Sequence, residues 1–412
     1  TVLRFQERFD RVAVLHSHLN ASKRNMYWRA LERGEAGVVV GARSAIFAPL
    51  RNLGLIVVDE EHETSFKQES VPRYHARDLA VKRAQMLGIP VVLGSATPSL
   101  ETYHNAELGR YTQLDLPRRV AGRPMPPVEI VDMTEEMSQG LGYKLLSQPL
   151  ERHMRRALEA GHQAILFQNR RGWSTWIMCP RCGYVLKCTD CDVAMTLHRG
   201  RRETMKCHYC GRMTEPPEIC PECEYRLRYS GIGTQRLEDI LTKAFPETAV
   251  SRMDSDTTRK VDGHEKILDA FRRGEFQILV GTQMVTKGLD FPNVTVVGVV
   301  NADMSLNFPD FRSTERTFQL VAQVAGRAGR SELGGRVVVQ TFNPDSAAMV
   351  YAEKHDYLGF AHEELGHRRM MEYPPFGRLA RVLVLSKSDA EAERAIQGVR
   401  ERIEAAGLPD GA

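Results

Sequence analysis

The 412 residues contain no G-x-x-x-x-G-K-[ST], the loop that cradles nucleotide phosphates on backbone N–H groups. No apolar run approaches the ~18 residues that a membrane-spanning helix needs. No basic leader followed by an apolar stretch opens the chain, and the first residue is Thr1 rather than Met. The opening Thr1-Val2-Leu3 falls in mid-pattern and reads as the start of a fragment. Cysteine is absent outside the span from Cys179 to Cys223. That excludes a disulfide framework along the chain and points to a reducing compartment. Internal repeats and low-complexity tails are also missing, which excludes solenoids. Charge of one sign is scarce: the net charge is +4, which permits nucleic acid as a partner without demanding it.

What is present is a sequence with an apolar fraction of 42%, enough for real cores. Its length suits two to four domains. Short apolar runs recur, each ending in small or polar residues. VAVL precedes His16, VVV precedes Gly41-Ala42-Arg43-Ser44, and LIVV precedes Asp59-Glu60. VVL precedes Gly94-Ser95-Ala96-Thr97, AILF precedes Gln168, and ILV precedes Gly281-Thr282. VVGVV before Asn301 and VVV before Gln340 complete the set. Helical patterns lie between them, as at 77–87, 148–160 and 316–328. Continuous apolar strands alternating with helices predict a parallel sheet covered on both faces, with ligands at the carboxyl ends of the strands. A Pro-rich joint, Arg123-Pro124-Met125-Pro126-Pro127, divides two such α/β blocks.

The second block is interrupted by four C-x-x-C knuckles: Cys179/Cys182, Cys188/Cys191, Cys207/Cys210 and Cys220/Cys223. Two knuckles make one tetrahedral zinc site, so four make two. The fifteen-residue gap between the middle knuckles fits a ribbon hairpin. That favours pairing the inner knuckles together and the outer two together, without requiring it. A segment this small has no core of its own, so metal supplies its fold.

LIVVDEEHETSF brings three acids to one strand end. Asp59 suits Mg²⁺ held through water, and Glu60 suits activation of an attacking water. Ser95, Ala96 and Thr97 form a small hydroxyl-bearing tip in the same block. Gly281, Thr282, Lys287, Gly288 and Asp290 form another, fit for phosphate or ribose. Gln323, Arg327 and Arg330 are spaced to share one helix face, with the arginines placed to meet a γ-phosphate. Between the acids and Leu79, Phe66, Lys67, Arg73, Tyr74 and Arg77 interleave aromatic rings with cations. Such a loop can stack unpaired bases and hold backbone phosphates.

In order, DEEH, GSAT, GTQMVTKGLDF and QVAGRAGR resemble motifs II, III, V and VI of superfamily 2 helicases. LHSHL, VVVGARSAIFAPLRNLGLIVVDEEH, YHARDLAV, GSATPSLET and the CPRC…CPEC block narrow the resemblance to the bacterial replication-restart helicases of the primosome. The resemblance implies an α/β fold with two RecA-like parallel-sheet lobes, the first incomplete. Lobe two would carry a two-zinc insertion with four cysteines to each ion, and the start of a C-terminal α+β domain would follow. It divides the chain into lobe one (1–127), lobe two (128–178 and 226–345), the zinc insertion (179–225) and a partial C-terminal domain (346–412). It implies an ATP-dependent 3′ to 5′ DNA helicase that recognises stalled forks and starts primosome assembly. The roles of Asp59, Glu60, Gln323, Arg327 and Arg330 would be catalytic. His62 would join the tips at 95–97 and 281–290 around ATP and Mg²⁺, and the eight cysteines would ligate zinc. Expected partners are forked and single-stranded DNA, primosome proteins and single-stranded DNA-binding protein. The expected setting is cytoplasmic, nucleoid-associated and monomeric, with no membrane. Because the family's phosphate-binding loop lies in the first strand–helix unit, the chain alone is expected to bind ATP poorly and not to unwind DNA. The competing expectation is a non-catalytic zinc-bearing scaffold for DNA and primosome proteins.

Overall fold

All eight apolar runs are parallel strands in the computed structural model. It describes residues 2–16, 19–117, 124–138, 145–168, 177–179, 181–199, 203–227, 234–253, 263–282, 291–328, 334–384, 386 and 388–407. In chain order the strands are β1 (Val12–Leu15), β2 (Val38–Gly41), β3 (Ile56–Asp59), β4 (Lys67–Gln68), β5 (Tyr74–His75) and β6 (Val91–Gly94). There follow β7 (Val128–Asp132), β8 (Gln163–Phe167), β9 (Thr196–Arg199), β10 (Glu203–Lys206), β11 (Met213–Thr214), β12 (Val250–Met253), β13 (Ile278–Gly281), β14 (Val294–Val299) and β15 (Arg336–Thr341).

The second block is a six-stranded parallel sheet in the order β12-β13-β8-β14-β15-β7. Its inner strands are buried on both faces, as their unbroken apolar runs require. Ile165 and Phe167 of β8 face one core with Phe318, Val321 and Val324. Ala164 and Leu166 face the other with Leu150, Met154, Leu237 and Leu241. Gly298 in β14 lets the helix Gln148–Glu159 approach: a methyl group there would stand 2.8 Å from Leu150 Cδ1. The edge strands β7 and β12 escape the sequence pattern. Each buries only part of itself, so VEIVD and VSRM alternate with polar residues instead of forming an apolar run.

The first block departs from expectation. Its four long strands form two separate parallel pairs, β1 with β2 and β3 with β6, rather than one sheet. Nor is it covered on both faces. Ile56 and Val58 point inward, but Val57 is 62% exposed and Val92 of β6 is 45% exposed. The helix Ala76–Leu87 packs on the inward face through Ala80 and Ala84 and ends at Gly88, whose φ of 63° favours glycine.

The expected helix over 316–328 is shifted. It runs Ser313–Ala325 and stops where Gly326 caps it. The chain divides between Phe360 and Ala361. The unit from Ala361 holds a buried Arg368 paired with Glu364 at 3.1 Å and the helix Asp389–Ala405. No strand occurs among the described residues of this unit, and Val382 and Leu383 are exposed.

Phe318 and Phe360 stack with centroids 4.3 Å apart, both buried, and anchor one face of the six-stranded sheet. Phe318→Ala is expected to destabilise this unit by about 3–5 kcal/mol. Urea unfolding followed by far-ultraviolet circular dichroism checks it, and a shift of the midpoint below what a ~1 kcal/mol loss gives would contradict the packing described.

Candidate functional site

Three consecutive acids at the end of β3 have three different surroundings. Asp59 ends the strand beside Gly94 of β6 and is exposed. Glu60 turns the chain with φ at 49°, a left-handed conformation unusual for a residue with a side chain. Its N–H donates to Asp59 Oδ1 at 3.0 Å, and its carboxylate is half exposed. Strain of this kind gathers where chemistry needs a side chain aimed against backbone preference. Glu61 instead turns inward and is 1% exposed. It receives Arg77 Nη1 at 3.0 Å, the Ser99 N–H at 2.6 Å and the Thr102 hydroxyl at 2.9 Å.

His62 joins three motifs. Its Nδ1 lies 2.7 Å from Ser95 Oγ, and its Nε2 lies 2.8 Å from Gln323 Nε2. With Gln323 donating to Nε2, the imidazole carries its hydrogen on Nδ1 and donates it to Ser95. Ser95 Oγ also accepts the Thr97 N–H at 3.0 Å, which fixes the turn after β6. The His62 side chain is only 4% exposed. Asp59, Glu60, His62, Ser95, Thr97 and Gln323 are therefore brought together where the two blocks meet.

The helix that carries Gln323 touches the first block at its other end too. The Leu100 N–H donates to Glu315 Oε1 at 3.0 Å, and Arg312 grips Glu101 at 2.9 Å. The Tyr357 hydroxyl donates to the Pro98 carbonyl at 2.8 Å. Burial pushes that phenol's proton affinity up, reinforced by the nearby Glu315 and Glu61 charges.

Gly281 and Thr282 stand at the tip of β13, where Gly281 accepts the Gln168 N–H. Lys287, Gly288, Asp290 and Arg330 lie outside the described residues. Arg327 sits in the turn after the helix, with its N–H on the Val324 carbonyl, so it does not continue the helix face that carries Gln323. Gly326 caps the helix, where glycine's low helix propensity favours an end.

The aromatic-rich loop is ordered rather than merely solvated. β4 and β5 pair antiparallel across it. Arg43 donates to the carbonyls of Ser65 at 3.0 Å and Lys67 at 2.7 Å, and its guanidinium stands 5.9 Å from the Tyr74 ring centre. Phe47 meets Tyr74 edge-on at 5.0 Å. Lys67 and Arg73 are exposed, while Phe66 is half-buried against the core. Arg77 corrects the expectation that it meets nucleic acid, because its guanidinium is turned inward onto Glu61. Burial opposes the Arg77 charge, but Glu61 and Asp78 outweigh burial and hold the proton more tightly than usual. Burial lowers the proton affinity of His75, and Arg77 lowers it further.

Sequence reasoning missed Arg43, Ser99, Thr102, Glu101, Arg312, Glu315 and Tyr357. Arg43 stood at a decorated strand end, which was the available signal. The others carry none, because their role depends on contacts between distant segments.

The eight cysteines form two clusters. Cys179, Cys182, Cys220 and Cys223 make one, and Cys188, Cys191, Cys207 and Cys210 the other, which is the nested pairing. Sulfurs from paired knuckles stand 3.5 Å apart, as between Cys179 and Cys223 or Cys188 and Cys210. That is far beyond a disulfide bond of ~2.05 Å. It is close to the ~3.8 Å that separates sulfurs around a tetrahedral ion with ~2.3 Å bonds. Backbone N–H groups of Arg181 and Tyr209 point at Cys179 and Cys207 sulfurs, both at 3.4 Å, and suit thiolate charge. These donors fit two zinc ions.

The insertion docks on the six-stranded block at two points. Gly183, with φ at 73°, lies so close to Phe342 that a side chain there would collide with it. The Phe311 N–H donates to the Tyr209 hydroxyl at 3.0 Å. Cys188→Ser with Cys210→Ser is expected to halve the bound zinc, from two ions to one, while the six-stranded block stays folded. Zinc measured by atomic emission on the purified chain checks this, and retention of both ions would contradict the assignment.

Comparison with known proteins gives the family. A profile described as helicase conserved C-terminal domain matches residues 229–332. A profile described as the PriA DNA helicase Cys-rich region matches residues 188–214. The replication restart protein PriA of Bacillus subtilis is 51% identical over 394 residues, which is 95% of this chain and 49% of that protein. That of Synechocystis is 46% identical over 406 residues, covering 96% and 49%. That of Rickettsia conorii is 38% identical over 391 residues, covering 94% and 60%. The chain thus spans about half the length of the first of these relatives. Among solved structures, RecG bound to a three-way DNA junction matches with a TM-score of 0.46 and 16% identity, covering 97% of this chain and 41% of that one, too loose a likeness to carry weight. Over the part that it spans, the chain belongs to the PriA family of replication restart proteins, within the superfamily 2 helicases.

Proposed function

We propose that this chain forms the two motor lobes and the zinc insertion of an ATP-dependent DNA helicase of replication restart, moving 3′ to 5′ on stalled forks. The observation that carries the reading is His62. Through Ser95 and Gln323 it ties the acidic strand end to the tips of two other motifs, one of them in the opposite block. A scaffold that only bound DNA would gain nothing from burying this histidine between two lobes.

The cleft fits ATP and Mg²⁺. Asp59 and Glu60 present carboxylates at the strand end, and Thr97 Oγ1 is buried with no partner among the described residues. Bound Mg²⁺ would neutralise phosphate charge as it develops. Asp59 is aimed to hold it through water. Glu60, forced outward by its left-handed backbone, orients and deprotonates the attacking water. Gln323 reports the closed arrangement through His62. Arg327, with Arg330, supplies positive charge for the leaving phosphate. Phosphate cradling itself needs a Gly-rich loop of the G-x-x-x-x-G-K-[ST] kind, which these 412 residues do not contain. Hydrolysis is therefore measured in a protein that also supplies such a loop, and these 412 residues alone are expected to hydrolyse little.

Single-stranded DNA would stack on Tyr74 and Phe66, with phosphates on Lys67 and Arg73. The zinc insertion, docked through Gly183 and Tyr209, would serve primosome proteins and single-stranded DNA-binding protein near the nucleoid.

Glu60→Gln in the longer protein is expected to lower DNA-stimulated ATP hydrolysis by about 10²–10⁴-fold. Zinc content and single-strand binding should stay as they are. Unchanged turnover would remove Glu60 from the mechanism, and absence of any ATPase in the parent would leave the scaffold reading in its place. Lys67→Ala and Arg73→Ala are each expected to weaken oligo-dT binding. Each should also flatten the dependence of log K on log salt by about 0.7, the contribution of one single-strand phosphate contact. A salt slope unmoved by both would take these residues off the DNA.

A further inference from the structure

Glu61 is the acid the mechanism above leaves idle. Both of its oxygens are occupied. Oε1 accepts the Ser99 N–H at 2.6 Å. Oε2 accepts Arg77 Nη1 at 3.0 Å, the Thr102 hydroxyl at 2.9 Å and the Ser99 hydroxyl at 3.2 Å. A carboxylate offers about four lone-pair sites. Oε2 holds three of these donors and Oε1 one, and at 1% exposure the carboxylate is closed to solvent, so its partners are the protein's own groups rather than water, metal or phosphate.

Its partners come from two directions. Glu61 and Arg77 flank the aromatic-rich loop, and their ion pair closes the loop at its base. Ser99 caps the helix Leu100–Glu107, and Thr102 lies in that helix's first turn. The opposite block holds the same turn: Glu315 accepts the Leu100 N–H and Arg312 grips Glu101. The helix bearing Arg312 and Glu315 also carries Gln323, which returns to His62, the neighbour of Glu61. The contacts form a closed circuit from loop base to helix cap to opposite block and back.

We propose that Glu61 is a positioning residue that couples the base-stacking loop to the contact between the two lobes. Its functional meaning rests on the DNA reading of that loop. One carboxylate serves both the loop base and the first turn of the helix that the second lobe grips. Moving the loop base by more than a few tenths of an ångström must break bonds to a buried charge or drag that turn along. Strand engagement at Tyr74 and Lys67 is thereby passed to the lobe interface without either touching it.

Spatial contiguity alone does not establish coupling, so the test reads one segment while changing the other. The measurement is amide hydrogen exchange on the purified chain, with peptides from β8 and β14 as the reference for global folding. Thr102→Val removes one bond to Glu61 from the helix side and leaves the loop sequence untouched. It is expected to speed exchange across residues 62–76 by about fivefold, the effect of one lost hydrogen bond on local opening. Glu61→Gln should speed exchange in residues 62–76 and 99–103 together by about tenfold or more, while β8 and β14 stay protected. Asp78→Asn touches Arg77 from the solvent side and should leave residues 99–103 as they were. Exchange confined to the helix in Thr102→Val would overturn the coupling, as would Glu61→Gln loosening one segment alone. If Glu61→Gln loosens β8 and β14 as well, Thr102→Val decides the matter.

Oligo-dT then separates the two readings. In the unchanged chain it should protect residues 62–76 and 99–103 together, and in Thr102→Val the loop with less protection at 99–103. Equal protection of both segments in both proteins overturns the coupling. An unprotected loop overturns the DNA reading, while the response of the loop to Thr102→Val still decides the coupling.

Discussion

The buried ion pair between Glu61 and Arg77 is the constraint on which the first block depends. Taking each charge out of water costs several kcal/mol, and attraction repays this only where geometry and further hydrogen bonds are good. Here they are. The carboxylate adds the Ser99 N–H, the Ser99 hydroxyl and the Thr102 hydroxyl to the guanidinium. Such a pair does little for net stability compared with apolar residues of the same shape. What it supplies is direction. An apolar pair would let the loop base slide, whereas a buried carboxylate bonded to Arg77, Ser99 and Thr102 resists displacement.

The zinc insertion obeys a different constraint. Its buried cluster consists of Ile177, Val193, Met195, Leu197, Met205 and Leu227 packed around the cysteines themselves. That core is too small to hold a fold, so the knuckles depend on metal–thiolate bonds. Yet the insertion is not a free module. Gly183 against Phe342 and Tyr209 on the Phe311 N–H fix it to the block that carries the arginine motif. A force applied to the insertion by a partner would be felt at the helix Ser313–Ala325, which begins just after Phe311.

Much of this was legible in the sequence because the relevant physics is local. Unbroken apolar runs marked the strands, although only those of the second block are buried on both faces, and the spacing of the knuckles marked two clusters and favoured their nested pairing. The edge strands β7 and β12 were not legible, since half-burial replaces the apolar run with alternation too short to read. The helix carrying Gln323 ends at Ala325, so Arg327 lies in the turn beyond it, and Arg330 lies outside the described residues. Arg77 looked like a phosphate contact because an arginine among aromatics reads the same whether it faces solvent or a buried acid. Its partner sits sixteen positions away, and only the folded chain brings the two together. Glu61 was visible as a surplus acid, but its role was not.

The helix Ser313–Ala325 explains why these parts act together. Glu315 and Gln323 are separated by about two turns, or ~12 Å of rigid rod. One end holds the first turn of Leu100–Glu107, and the other holds His62. A rod tied to the opposite block at one point could swivel; tied at two it cannot rotate without breaking a contact. Opening the cleft must therefore release either the Glu315 and Arg312 end or the Gln323 end first. The Gln323 end is a single hydrogen bond to an uncharged ring, worth roughly 1 kcal/mol. The other end combines a carboxylate on a buried N–H with a half-buried Arg312–Glu101 pair, each a charge-assisted contact of the stronger kind. The weaker end is the one beside Asp59 and Glu60. The two blocks are therefore held more firmly at Leu100 and Glu101 than at His62.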